Sequence, residues 1–159
     1  MKIYVISDTH VPVVARELPP ELLRAMNDAQ LIIHAGDLVE LSVLEELRAI
    51  APVEAVFGNM DGWATRRPLS AKKVVEAQGK RIGLVHGAGA PWSLPERVLR
   101  EFENVDIIVF GHSHQPLREQ RGQVLLFNPG SPTDTRFAPY RSYGIIEIGE
   151  SVKAEIVRL

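Results

Sequence analysis

Side chains that can bind a metal ion follow five separate apolar segments of this sequence, at the point where each segment ends. They are aspartate, histidine and asparagine side chains, which are costly to bury unless they find a partner. In four of the five places a glycine lies beside the polar residue. In chain order the seven side chains belong to Asp8, His10, Asp37, Asn59, His86, His112 and His114.

The spacing of these residues favours convergence on one site. One residue separates Asp8 from His10, and one separates His112 from His114, so each pair can share a face of an extended chain. Side chains just past the carboxyl ends of parallel strands meet in one crevice, and we expect all seven to meet there. Any one of them alone is more simply interpreted as a turn residue or a helix cap.

Two carboxylates, four imidazoles and one amide are too many ligands for a single four-coordinate ion. The set suits two divalent ions that share a bridging carboxylate, as in two-metal hydrolases. Mixed nitrogen and oxygen ligands favour transition metals over magnesium or calcium. We expect manganese first, with iron, zinc, nickel or cobalt as alternatives. The sequence has no cysteine, which excludes thiolate ligands. His34 lies inside an apolar run and is interpreted as a hydrogen-bonded core residue.

The elements that must position these side chains are strands alternating with helices. Continuous apolar runs predict buried strands at 2–6, 31–35, 52–57 and 106–110. Helices are predicted over 19–29 and after two capping boxes, Ser42 with Glu45 and Ser93 with Glu96. Alternating runs predict hairpins at 71–77 with 80–86, 116–120 with 123–127, and 142–148 with 152–158. Together they predict an α/β fold in which two mixed β-sheets pack as a sandwich flanked by helices.

Length and composition suit one globular domain over residues 1–159. The formal charge of −2 gives no reason to expect binding to a membrane surface, and without a basic cluster long nucleic acid is an improbable partner. No apolar run approaches the ~18 residues of a membrane span, and the first one is too short for a signal peptide. The expected location is therefore the cytoplasm. A homo-oligomer is left open.

With these motifs the chain resembles the calcineurin-like metallophosphoesterase superfamily, and among its members the small prokaryotic single-domain phosphodiesterases. The matching stretches are Asp8-x-His10, Gly36-Asp37-x-x-Glu40, Gly58-Asn59-x-Asp61, His86-Gly87, Gly111-His112-x-His114 and the NPGS at 128–131. The resemblance implies an αββα fold with helices outside two packed sheets. It also implies a first metal site of Asp8, His10, Asp37 and His114. The implied second site is Asp37, Asn59, His86 and His112, with Asp37 bridging.

The activity that the resemblance implies is hydrolysis of a small phosphodiester. A hydroxide bridging the two ions would attack phosphorus in line while the ions hold the non-bridging oxygens. Two divalent ions, two carboxylates and one hydroxide leave a single positive charge, which a phosphodiester monoanion would neutralise. The residues expected to take part in catalysis are Asp37, Asn59, Asp61 and His86.

The chain departs from the superfamily at Met60. Many members have a histidine there, which contacts the phosphate and is thought to protonate the leaving group. Methionine can do neither. The substrate therefore needs a good leaving group, or its proton comes from water, from Asp61 or from another donor.

The organic part of the substrate could contact a tryptophan. Trp63 and Trp92 lie in loops after ligand-bearing strands, and we hypothesise that one of them stacks on an aromatic or nucleoside group. Anchoring the loop on the core is the alternative role. The arginines in irregular stretches that could clamp a phosphate are Arg66, Arg67, Arg136 and Arg141.

A second class of function is a catalytically weak or inactive scaffold that uses the same fold to bind a protein partner. Such relatives exist in the superfamily, including a subunit of an endosomal sorting coat, and they tend to lose metal ligands. None of the seven ligands is missing here, which favours an enzyme.

Overall fold

The structure, a computed structural model, describes residues 1–159 as ten strands, four short α-helices and two 3₁₀ turns. In chain order the elements are β1 (Lys2–Ile6), α1 (Pro20–Ala25), β2 (Leu31–His34), α2 (Ser42–Arg48), β3 (Val53–Ala55), α3 (Trp63–Arg66), β4 (Lys72–Ala77), β5 (Lys80–Val85), α4 (Leu94–Leu99), β6 (Ile107–Val109), β7 (Leu117–Arg121), β8 (Val124–Asn128), β9 (Ser142–Ile148) and β10 (Val152–Arg158). The 3₁₀ turns are Met26–Asp28 and Pro91–Ser93.

The strands form two five-stranded mixed sheets. The first has the order β10-β9-β1-β2-β3, and the second has the order β4-β5-β6-β8-β7. In the first sheet β1, β2 and β3 run parallel, while β9 and β10 are antiparallel additions. In the second sheet β5, β6 and β8 run parallel, with β4 and β7 antiparallel at the edges. Each sheet therefore ends its parallel strands at a common edge.

Three apolar clusters separate the layers. The largest lies between the sheets and joins Ile3 and Val5 of β1 to Leu84 of β5 and Val109 of β6. A second cluster packs the other face of β1, including Tyr4, against α1 and α2. A third packs α4 against the outer face of the second sheet. Because successive residues of a strand face opposite sides, one strand can serve two clusters, and the layers stack as helix, sheet, sheet, helix.

The predicted α/β sandwich of two mixed sheets is confirmed, and so are the predicted hairpins. The two predicted capping boxes are wrong. Ser42 is already inside α2, and its Oγ donates to Glu40 Oε2 at 3.3 Å. Ser93 precedes α4 without capping it, since its Oγ accepts from the guanidinium of Arg97. Both helices instead rely on burial of an apolar face. The longest helix, α2, has seven residues, and none of the helices could span a membrane.

Candidate metal centre

The site lies at the common edge where the parallel strands of both sheets end. Backbone hydrogen bonds tie neighbouring strand ends together: Asp8 N–H donates to Gly36 O at 3.0 Å, and Gly111 N–H donates to His86 O at 3.0 Å. His10 N–H donates to Asp37 O, also at 3.0 Å. Within each sheet, backbone hydrogen bonds therefore join neighbouring segments that carry predicted ligands.

Five of the seven predicted ligands have left-handed backbone conformations. The φ angles are 53° at Asp8, 45° at His10, 58° at Asp37, 69° at His112 and 55° at His114. This region is uncommon for residues other than glycine and costs of order 1–3 kcal/mol per residue. Five such residues lie at one site. This indicates that the fold tolerates an unfavourable backbone conformation there because it directs these side chains toward each other.

Glycines beside the ligands allow backbone and side chains to approach closely. A Cβ atom added at Gly58 would lie 2.1 Å from Asp37 Oδ1, and one at Gly111 would lie 1.9 Å from Ser7 Oγ. At Gly36, where φ is +94°, an added Cβ would lie 2.8 Å from His86 Nδ1. These three positions accept no side chain without displacing a group of the site.

One group of ligand atoms gathers around Asp8, which is fully buried. Its Oδ1 lies 3.3 Å from His114 Nε2 and 3.9 Å from His10 Nε2. The two imidazole nitrogens are 3.2 Å apart. Asp8 Oδ1 is buried and accepts no hydrogen bond from the protein, which is a costly arrangement for a carboxylate oxygen unless a cation compensates it.

A second group gathers around the side-chain oxygen of Asn59. Asn59 Oδ1 lies 2.9 Å from His112 Nδ1 and 3.2 Å from His86 Nε2. Asp37 Oδ2 is 3.2 Å from the same His86 nitrogen. The seven predicted ligands therefore form two adjoining groups.

The two carboxylates lie between the groups. Asp37 Oδ2 is also 3.7 Å from His10 Nε2, so it reaches across to the first group. Asp8 Oδ1 is 3.8 Å from His86 Nε2 and reaches across to the second. Two sets of potential ligands close enough to share an ion are Asp8 with His10 and His114, and Asp8 with Asp37 and His86.

In three histidines, the ring nitrogen that faces away from the site donates a hydrogen bond to an acceptor. The other ring nitrogen then has a lone pair directed at the site. His86 Nδ1–H donates to Ala35 O at 2.7 Å, and His112 Nε2–H donates to Gly89 O at 2.9 Å. His114 Nδ1–H donates to the carboxylate of Asp134. Metal-binding histidines are usually oriented in this way. Lone pairs that face each other without a proton between them repel, so this donor set fits divalent cations.

Neighbouring carboxylates raise the pKa values of two of these histidines, His114 and His86, whereas burial lowers the pKa of His10. Burial opposes the charged form of His114, but the nearby carboxylates of Asp8 and Asp134 raise its pKa to about 9. Burial also opposes the charged form of His86, and a hydrogen bond to Asp37 and the charge of Asp8 still raise its pKa. Positive charge is therefore stabilised at this place, whether a proton or a metal ion supplies it.

Asp61 lies below the site and binds backbone. Its Oδ2 accepts from Gly58 N–H at 2.7 Å and Asp37 N–H at 3.0 Å, while Oδ1 accepts from Val39 N–H at 2.6 Å. Arg66 binds the carbonyl oxygens of the same loop, at 2.6 Å for that of Asp61. Because both oxygens of the Asp61 carboxylate already bind backbone N–H groups, this geometry favours a loop-holding role over proton donation.

Sequence reasoning missed Asp134, which is buried and binds His114. It follows the NPGS segment, whose Ser131 Oγ accepts from Asp134 N–H at 3.0 Å and donates to Asp8 O at 2.8 Å. This loop, which was among the stretches that match the superfamily, therefore borders the site. No spacing rule connects residue 134 with residue 114. The only indication in the sequence is that an aspartate in a turn commonly forms hydrogen bonds with nearby groups.

His34 is a core residue, as expected. Gly36 N–H donates to its Nδ1 at 3.2 Å, so Nε2–H faces Thr9 Oγ1 at 3.0 Å. Burial lowers the pKa of His34 to about 4.

A cavity of about 530 Å³ opens over the ligand atoms. The stacking hypothesis for the tryptophans is wrong, because neither indole lines this cavity and both are exposed. Exposed fractions of 76% for Trp63 and 84% for Trp92 also contradict the alternative role of anchoring a loop on the core. The aromatic side chain that lines the cavity is Phe137, which sequence reasoning did not select.

One of the four candidate arginines lines this cavity, namely Arg136. The other three have partners elsewhere. Arg66 binds backbone carbonyls, the Arg67 guanidinium lies over the Trp63 ring, and Arg141 pairs with Glu21.

Comparison with known proteins gives a consistent result. The sequence profile described as calcineurin-like phosphoesterase superfamily domain matches residues 1–151. A probable metallophosphoesterase of Methanothermobacter thermautotrophicus is 41% identical, over 99% of this chain and 92% of that protein. The Escherichia coli phosphodiesterase YfcE is 31% identical, over 92% of this chain and 88% of that protein. Wild-type Vps29 of Entamoeba histolytica, solved with Zn²⁺, superposes with a TM-score of 0.77 at 27% identity, over 99% of each chain.

An αββα sandwich with a cluster of histidines and carboxylates at the strand ends defines a metallophosphoesterase architecture. The chain belongs to the calcineurin-like phosphoesterase superfamily, a family of metal-dependent phosphoester hydrolases. The resemblance found in the sequence and the expectation of an enzyme are thereby confirmed.

Proposed function

We propose that this protein is a phosphodiesterase that uses two divalent transition-metal ions, manganese first, to hydrolyse small phosphodiesters. The observation that carries the proposal is the convergence of side-chain lone pairs, with the buried and unpartnered Asp8 Oδ1 at its centre. The relatives named metallophosphoesterase and phosphodiesterase support the reaction class.

The proposed ligands divide as the two groups do. His10 and His114 hold the first ion with Asp8, and Asn59, His86 and His112 hold the second. Asp37 is the proposed bridge because its Oδ2 reaches both groups. When bound, such ions polarise phosphoryl oxygens and lower the pKa of a water to about 7, so that no side-chain base is needed. Hydrogen bonds from the ring nitrogens that face away from the site keep His86, His112 and His114 in the orientation that binding requires.

The charge of the surroundings supports a monoanionic diester as substrate. Two divalent ions are offset by the carboxylates of Asp8 and Asp37 and by a hydroxide. Beyond this set, the Asp134 carboxylate and the Arg136 guanidinium both line the cavity and balance each other. A diester monoanion therefore neutralises the centre, whereas a monoester dianion leaves an excess negative charge.

The leaving group receives no proton from a side chain in this proposal. Met60 lines the cavity where many superfamily members have a histidine, and Asp61 is committed to backbone N–H groups. Water is then the proton source, and diesters with acidic leaving groups are the better substrates.

A metal panel on chelated protein tests the proposal. We expect manganese to restore hydrolysis of bis(p-nitrophenyl) phosphate more than hydrolysis of p-nitrophenyl phosphate. Asp37→Ala should abolish hydrolysis of both, because it removes the proposed bridge. Glu150→Ala, which changes an exposed carboxylate in the β9–β10 turn, is the matched control and should retain activity.

The second candidate function is the scaffold that binds a protein partner. The likeness to Vps29 over the whole chain favours keeping it. If no metal of the panel raises hydrolysis above background, the scaffold replaces the enzyme as the better account.

A further inference from the structure

We propose that the cavity beside the metal centre is a binding subsite for a planar aromatic group carried on the phosphodiester, with Phe137 as its wall. This inference rests on the proposed function, of which it names the substrate class. It concerns the organic group of the substrate, whereas the metal centre binds the phosphate.

The exposed apolar side chains of the protein gather at this cavity. Seven large apolar side chains are exposed in the whole chain. Single exposed apolar residues are ordinary, but several around one cavity mark a place where a ligand covers them. The four that line the cavity are Val13, Val14, Met60 and Phe137.

Phe137 has a fixed backbone and a free ring. Its N–H donates to Asp134 Oδ2 at 3.1 Å, and its carbonyl accepts from Gln115 Nε2 at 2.8 Å. The residue is nevertheless 64% exposed. Because the backbone is fixed and the ring is exposed, Phe137 can bind an aromatic group without the cost of ordering its backbone.

The Phe137 ring also lies close to the proposed metal ligands. The Phe137 and His114 ring centroids are 6.2 Å apart, with an interplanar angle of 81°. The guanidinium carbon of Arg136 lies 5.2 Å from the Phe137 centroid. An aromatic ester group attached to a phosphate at the metal centre can therefore reach Phe137. The cavity volume of about 530 Å³ suits a small ligand of this size.

Met60 fits the same interpretation. Its thioether lines the cavity next to Asn59, and methionine sulfur makes favourable contacts with aromatic rings. The position that offers polar contacts in many superfamily members thus offers an apolar, polarisable surface here.

Binding measurements test the subsite without requiring turnover. The probes are the monomethyl esters of phenylphosphonic acid and of methylphosphonic acid, both monoanions that differ only in the organic group. Calorimetry on manganese-loaded wild type should show the phenyl compound binding roughly three- to tenfold tighter, as expected for one aromatic pair. Phe137→Ala should remove this preference and leave the affinity for the methyl compound unchanged.

The matched control is Trp63→Ala, which removes an exposed aromatic outside the cavity and should keep the preference. Equal affinities of the wild type for the two probes, absence of binding, or a preference that survives Phe137→Ala would overturn the subsite. A protein that shows the preference but hydrolyses no diester would contradict the proposed function and support the subsite.

Discussion

Hydrogen bonds from the ring nitrogens that face away from the site fix the orientation of the ligand imidazoles. His114 donates to Asp134, which also accepts from the backbone N–H groups of Arg136 and Phe137. One buried carboxylate thus holds a proposed ligand and the loop that lines the cavity. Asp134 is a positioning residue in this account, since it lies behind the metal centre.

Asp134→Asn should weaken manganese binding about 10- to 100-fold, because an amide is a poorer acceptor for His114 Nδ1–H. Calorimetric titration of the metal-free protein with manganese measures this directly. Asp106→Asn, at a half-exposed carboxylate paired with Lys80, is the matched control and should bind manganese as the wild type does. Equal affinity of the two variants would show that Asp134 serves only the loop.

Met60→His should change the dependence of the rate on the leaving group. A histidine at this position can protonate a poor leaving group, whereas an aryl oxide needs little help. We expect hydrolysis of an alkyl aryl diester with a poorly acidic phenol to rise about tenfold or more relative to bis(p-nitrophenyl) phosphate. An unchanged ratio of kcat/KM values would mean that another group already supplies the proton.

His34 should make the stability depend on pH. Its pKa falls from 6.5 to about 4 on folding, because burial disfavours the charged ring and Nδ1 must accept from Gly36 N–H. Between these values the unfolded chain binds more protons than the folded one. The contribution of neutral His34, ~3 kcal/mol, is therefore complete above pH 6.5 and is lost as the pH falls toward 4.

Urea unfolding at several pH values, with a chelator present, measures this effect. His34→Gln keeps an acceptor and a donor but does not titrate, so its stability should fall less between pH 6.5 and 4. If the free energy of unfolding falls equally with pH in the variant and the wild type, His34 does not cause the loss of stability at acid pH.

At the scale of elements, the sequence predicted where the strands end. It did not predict the hydrogen bonds that hold the loops after those strands in place. The sequence located the strands because burial on both faces leaves a continuous apolar run and burial on one face leaves an alternating one. The polar residue after each run then located the proposed ligands. Neither helix cap was found correctly, since Ser42 and Ser93 had competing partners in Glu40 and Arg97.

The hydrogen bonds that hold these loops join segments that are distant in sequence. Asp134 binds His114 across 20 residues, and Ser131 binds Asp8 across 123. No local pattern specifies such pairs. The role of the tryptophans was misjudged for a related reason: position after a ligand-bearing strand does not tell which way a loop turns, and Phe137 from another loop lines the cavity instead.

Gly111→Ala should disrupt the junction between β6 and β1. An added methyl group would lie 1.9 Å from Ser7 Oγ and 2.6 Å from Asp8 Oδ2, so strand ends must separate. We expect a loss of about 2 kcal/mol or more in the free energy of unfolding, together with weaker manganese binding.

Gly62→Ala is the matched control for this change. Its φ of −74° suits alanine, and nothing lies within 4 Å of an added Cβ. Chemical denaturation of the three proteins should show the larger loss for Gly111→Ala, since replacing Gly62, the N-cap of α3, by alanine costs about 1 kcal/mol or less. Equal stability of both variants would mean that the junction has more room than these distances indicate.

At the scale of the whole molecule, the sandwich brings two parallel-strand edges to one place. The first sheet contributes Asp8, His10, Asp37 and Asn59 after its strands, and the second contributes His86, His112 and His114. Neither sheet alone supplies both groups of ligand atoms. The apolar cluster between the sheets is therefore what holds the proposed two-ion centre together.

Anomalous diffraction from manganese-loaded crystals tests this central claim most directly. The account predicts two peaks about 3.5–4 Å apart at the strand ends, with the Asp37 carboxylate between them. A single peak, or two peaks away from the seven side chains, would contradict it.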